Sequence, residues 1–121
     1  MGGFAPEVQR KLLGLIGLGA RARNVVVGVE RVKDAARRGK VKMAFVAPDA
    51  SDNSREKVLP LLEARRVQVF EGLTAVELGQ AVGKESTVAV GVIDAALASG
   101  LRRLVEPDRR DARNPSPRGT R

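Results

Sequence analysis

Catalysis and metal binding draw heavily on thiols and imidazoles, and this sequence contains no Cys and no His. Their absence excludes zinc fingers, haem or iron–sulfur ligation, disulfide scaffolds and thiol or imidazole catalysis. Ser51, Ser54 and Ser86 have no imidazole to activate them. Carboxylate pairs such as Glu30 with Asp34, or Asp49 with Asp52, stand at the spacing of helix faces and caps and read as such. Gly17-Leu18-Gly19-Ala20-Arg21-Ala22 fits G-x-G-x-x-A, a loop that brings pyrophosphate to a helix N-terminus when it follows a strand. Here the glycines follow a helical repeat, so they read as the end of a helix. A non-catalytic protein with no cofactor and no metal is expected.

Cationic chemistry remains. Lys and Arg number 22 against 14 Asp and Glu, a formal charge of +8, with a pI near 11.0. Residues 21–42 carry Arg21, Arg23, Arg31, Lys33, Arg37, Arg38, Lys40 and Lys42 against only Glu30 and Asp34. From 43 to 101 the balance turns acidic, and it turns basic again over 102–121. Arg65 and Arg66 fall outside the basic stretch. Cations segregated in this way, with a pI above about 9, form the electrostatic footprint of a polyanion binder.

Aromatic residues amount to 2%, three Phe with no Trp or Tyr. That argues against modules that stack bases on exposed rings. Hydrophobic residues make up 43% of 121 positions, enough for one domain with an aliphatic core. There is no apolar run of membrane-spanning length, and residues 1–7 lack the pattern of a signal peptide. A cytoplasmic location without membrane contact is expected.

The elements that must position the cations follow from periodicity. Val8, Leu12, Leu15 and Ile16 give a first helix over 6–19, with Pro6 suited to its first position. Val25-Val26-Val27 is a short strand. Gly28 opens a second helix that Gly39 stops. Residues 41–47 read as a buried strand, and Asp49 or Ser51 can cap a third helix reaching Ala64 through Pro60. A strand over 67–70 precedes Thr74-Ala75-Val76-Glu77, a capping box that starts a fourth helix ending near Gly83. Residues 87–93 form the last strand, and Asp94 caps a fifth helix expected to stop at Gly100. Alternating helices and strands imply an α/β domain over 1–104. Residues 105–121, rich in Pro, Arg and Asp, are expected to form a disordered basic tail.

Three stretches in this order carry a resemblance. The first is Leu12-Leu13-Gly14-Leu15 followed by Gly28. The second is Arg38-Gly39-Lys40-Val41-Lys42, then Ala47-x-Asp49-Ala50-Ser51-x-Asn53 with Lys57. The third is Leu78-Gly79-x-Ala81-x-Gly83-Lys84-Glu85, then Val88-x-Val90-x-Val92-x-Asp94. Over about residues 8–103 the chain resembles small bacterial members of the L7Ae/L30e superfamily of kink-turn RNA-binding proteins.

The resemblance implies a three-layer α/β/α sandwich with a mixed four-stranded sheet. It also implies two RNA-facing elements, the N-terminus of the second helix and the loop after the fourth. Gly28, Glu30, Arg31, Lys33, Arg37, Lys84, Glu85 and Ser86 are therefore the candidate RNA-binding residues. Counting back from Gly39, the family's Asn-Glu pair falls on Glu30 and Arg31, and its Lys on Asp34. A shift of one residue pairs Glu30 with Lys33 instead. The second loop, Gly83-Lys84-Glu85-Ser86-Thr87, is polar where kink-turn readers are apolar. Ribosomal RNA or another structured RNA is the expected partner, bound by a monomer with possible ribosomal or ribonucleoprotein neighbours. Two other roles use the same fold: RNA delivery to a modification enzyme, and a protein-interaction module.

Overall fold

The computed structural model describes residues 3–106. Along the chain run α1 (Pro6–Arg21), β1 (Val25–Val27), α2 (Val29–Arg37), β2 (Met43–Val46), α3 (Asp52–Ala64), β3 (Gln68–Phe70), α4 (Ala75–Ala81), β4 (Ala89–Val92) and α5 (Ala95–Val105). The strands form one sheet in the order β1-β4-β2-β3. β4 is antiparallel to both β1 and β2, whereas β2 and β3 run parallel. The sheet is mixed, as expected.

Both faces are covered, which explains why β2 and β4 are apolar at every position. Met43 and Phe45 of β2 join Leu12, Ile16, Leu78 and Leu101 from α1, α4 and α5. Ala44 and Val46 point the other way, against Val32 and Ala36 of α2 and Val58 and Leu62 of α3. Side-chain alternation along one strand thus feeds two cores. The result is the α/β/α sandwich. The Phe45 and Phe70 rings, 5.8 Å apart between centroids, join the central strand to the edge strand β3.

Two helices outrun the sequence expectation. α1 continues through Gly17 and Gly19 to Arg21. A Cβ at Gly17 would stand 2.9 Å from the Ala81 carbonyl oxygen, and one at Gly19 would stand 2.5 Å from Leu97 Cδ2. These glycines let α1 approach α4 and α5 closely; they do not terminate it. α5 likewise passes Gly100 and ends at Val105. Val105 packs on the core, and Glu106 accepts a 2.6 Å hydrogen bond from Gln68. The ordered fold therefore passes residue 104, and the rest of the expected tail, 107–121, lies outside the described residues. No helix among the described residues is long and apolar enough to cross a membrane.

Candidate nucleic-acid interface

Gly28 sits between β1 and α2 with φ 101° and ψ 152°. That backbone conformation is open to glycine and strained for other residues. Its N–H donates to the Ala89 carbonyl at 2.8 Å, and its carbonyl accepts from Val32 N–H at 2.9 Å. The end of the edge strand and the first turn of α2 are thus fixed to the start of β4. Without a side chain, Gly28 gives the helix no side-chain cap, so the first-turn amides are left for water or a ligand.

From that turn Glu30 and Arg31 project into solvent. Arg31 lines a groove of about 520 Å³ with Arg23, Lys84, Val25, Val26, Val27, Val82 and Ile93. Three cations from three separate segments therefore stand over an aliphatic floor. Val25 and Val27 lie on the sheet's free edge, because β1 has β4 on one side only. Arg23 has φ 64°, in the left-handed region. It occupies the turn after α1, where the Asn24 N–H donates to the Gly19 carbonyl at 2.7 Å. Sequence reasoning left Arg23 off the site; the signal available was its place at the start of the basic stretch.

Lys84 belongs to a loop pinned at both ends. Its N–H donates to the Gly79 carbonyl at 2.8 Å, and the Thr87 N–H donates to the Ala75 carbonyl at 3.0 Å. A Cβ at Gly79 would run into the Ser86 backbone, so the loop folds tightly onto α4. Glu85 and Ser86 are exposed in this loop but do not line the groove. Val82, just before it, does. The loop is polar, as its sequence implies, and the apolar contribution comes from Val82, next to the stretch 83–87.

A second cavity, of about 440 Å³, continues from the groove along α2. Val26, Arg31 and Ile93 line both spaces, and Glu30, Asp34, Arg38 and Lys40 line the second. Asp34 pairs with Arg38 at 3.4 Å, both side chains being well exposed, so its negative charge is partly answered within the helix. Lys33 is half-buried and lines neither space, and exposed Arg37 stands at the far end of α2. Of the eight candidates, then, Arg31 and Lys84 line the groove, Glu30 lines the second cavity with Arg31, Gly28 opens α2 next to them, and Lys33, Arg37, Glu85 and Ser86 line neither space. No three Asp, Glu, His or Cys side chains among the described residues are grouped to hold a metal ion.

The profile of the ribosomal protein L7Ae/L30e/S12e/Gadd45 family matches residues 10–101. An RNA-binding protein YlxQ of Enterococcus faecium is 35% identical over 98 residues, 81% of this chain and 94% of that protein. Its Bacillus subtilis counterpart is 34% identical over 92 residues, 76% of this chain and 92% of that protein. A solved Bacillus halodurans protein of unknown function superposes with a TM-score of 0.73 at 33% identity, over 79% of this chain and 97% of its own. Profile, sequence and fold agree over the same span: the chain belongs to the ribosomal protein L7Ae/L30e/S12e/Gadd45 family.

Proposed function

We propose that the protein is a non-catalytic RNA-binding protein that holds structured RNA in the groove between the N-terminus of α2 and the loop after α4. The observation that carries this reading is the convergence of Arg23, Arg31 and Lys84 over the floor of Val25, Val27, Val82 and Ile93. The RNA-binding names of relatives aligned over most of the chain support the ligand class.

Each part has a chemical task. The first-turn amides of α2 and the positive end of its dipole favour phosphate oxygens. Arg31, Arg23 and Lys84 add charge and donors, with Arg able to grip phosphate through two parallel hydrogen bonds. Glu30 can accept from base amino groups, which phosphates do not offer. The aliphatic floor suits the face of an unstacked base. Nothing in this set reads sequence through many matched contacts, because Asp34 or half-buried Lys33 stands where the family's Lys is expected. The RNA is held mainly through its backbone, and ribosomal RNA or another folded RNA suits such a site.

Filter binding of a hairpin RNA with an internal loop, titrated across salt concentrations, tests the proposal. Affinity should fall along a linear log–log line, by about 0.7–0.9 log units per decade of salt for each phosphate contact. No measurable binding at low ionic strength would overturn it.

A further inference from the structure

Strand register shows a feature that linear charge counting misses. Val25, Val92, Met43 and Gln68 lie abreast at one end of the sheet, so β1, β2 and β3 all begin there. Lys42 directly precedes β2 and Arg66 stands two residues before β3. Arg65 and Arg66, which the linear sequence sets outside the basic stretch, are thus brought beside Lys40 and Lys42. Neighbouring strands are about 4.8 Å apart.

Arg102 of α5 reaches the same end. Its Nε donates to Gln68 Oε1 at 3.2 Å, and a terminal nitrogen donates to the Lys42 carbonyl at 3.4 Å. Neutral acceptors therefore hold this guanidinium in place without cancelling its charge. Among the described residues, only Arg38 of the group Arg38, Lys40, Lys42, Arg65, Arg66 and Arg102 is in an ion pair. The local carboxylates are largely engaged: Asp34 with Arg38, Asp94 as the α5 cap and Glu106 with Gln68. Glu63 lies one turn back in α3. At the opposite end of the sheet stand Asp49, Asp52, Glu71 and Glu77, where Arg55 pairs with Glu71.

We propose that this strand-start end is a second RNA contact, which takes the phosphate backbone of nucleotides flanking the RNA held at the N-terminus of α2. The proposal extends the groove reading given above. Continuity argues for RNA: the 440 Å³ cavity runs from Arg31 to Arg38 and Lys40, leading from the groove to this surface past Glu30 at its α2 N-terminal end and Asp34, which is paired with Arg38. No Phe among the described residues is part of this group, so bases have no ring to stack on and the contact reads charge alone. Along α2, the first turn and the strand-start end lie about 14 Å apart at 1.5 Å per residue, which an RNA with flanking strands can span and a minimal hairpin need not.

The test is a threefold neutral variant, Lys42→Gln, Arg65→Gln and Arg66→Gln, all at exposed positions, with its melting temperature checked against wild type. Two RNAs are titrated: an internal-loop hairpin, and the same hairpin with single-stranded extensions on both ends. The variant should match wild type on the bare hairpin and lose about tenfold or more on the extended RNA. Its salt slope on the extended RNA should become shallower by about 2 log units per decade, near 0.7 for each lost contact. Equal binding by variant and wild type to both RNAs would overturn the proposal, as would equal losses on both. So would a wild type that gains nothing from the extensions, or competition by an acidic polypeptide as effective as that by the extended RNA. Arg31→Glu separates the two readings. If it leaves hairpin binding intact, the groove reading fails, while a length-dependent loss in the threefold variant still stands.

Discussion

At the scale of single residues, the informative positions are those where one atom decides the geometry. Gly79 is the sharpest. Its missing Cβ leaves room for the Ser86 backbone, so Gly79→Ala must push the Lys84 loop away from α4. Overpacking of this kind costs about 1–3 kcal/mol, and urea denaturation should show that loss together with weaker RNA binding. Gly14 and Gly100 are the reverse case. Both lie in helix interiors with open space where a Cβ would stand. Alanine at either should stabilise by about 0.5–1 kcal/mol, read as a higher urea midpoint at unchanged slope. Sequence inspection could not separate these roles. Gly17, Gly19 and Gly100 all look like helix stops locally, and only the neighbouring helices, or their absence, reveal what each does. Gly28 and Gly39 were legible because each stands between two clear patterns, and both have positive φ.

At the scale of elements, α4 shows how a helix of seven residues persists when isolated helices that short do not. The Glu77 N–H donates to Thr74 Oγ1 at 3.2 Å, and the Thr74 N–H donates to Glu77 Oε1 at 2.9 Å. Asp49 Oδ1 accepts from Ala75 N–H at 3.0 Å, and Gln9 donates to Glu77 Oε2 at 2.8 Å. Thr74→Ala removes the acceptor for Glu77 N–H and should cost about 0.5–2 kcal/mol. Because α4 anchors the Lys84 loop, amide exchange over residues 83–87 should quicken in the same variant. The capping box was legible as T-x-x-E, and Ser51 caps α3 as one of two expected residues, accepting from Ser54 N–H at 3.1 Å. Asp49, equally placed by the sequence to cap α3, instead serves α4. That contact crosses 26 positions, beyond what a local pattern can express.

For the whole molecule, the alternation of patterns implied an α/β domain, and the family resemblance implied the three-layer sandwich with its mixed sheet. The order β1-β4-β2-β3 is the step that local patterns do not encode, and it determines which cations meet. It makes β1 an edge and brings Lys84 to Arg23 and Arg31, which lie 61 and 53 residues earlier in the chain. A site dominated by backbone charge should discriminate weakly among folded RNAs. Titrating a kink-turn and the same RNA with its G·A pairs made Watson–Crick, at one salt concentration, should show a preference below about a hundredfold, or 2.7 kcal/mol. The central claim is that the groove, and not diffuse positive charge, holds the RNA. Its most direct test compares hairpin binding by Arg31→Glu with Lys57→Glu, the same charge change at an exposed α3 position outside the groove. Arg31→Glu should lose about tenfold or more relative to Lys57→Glu, about 1.4 kcal/mol; equal losses in the two variants would contradict the account.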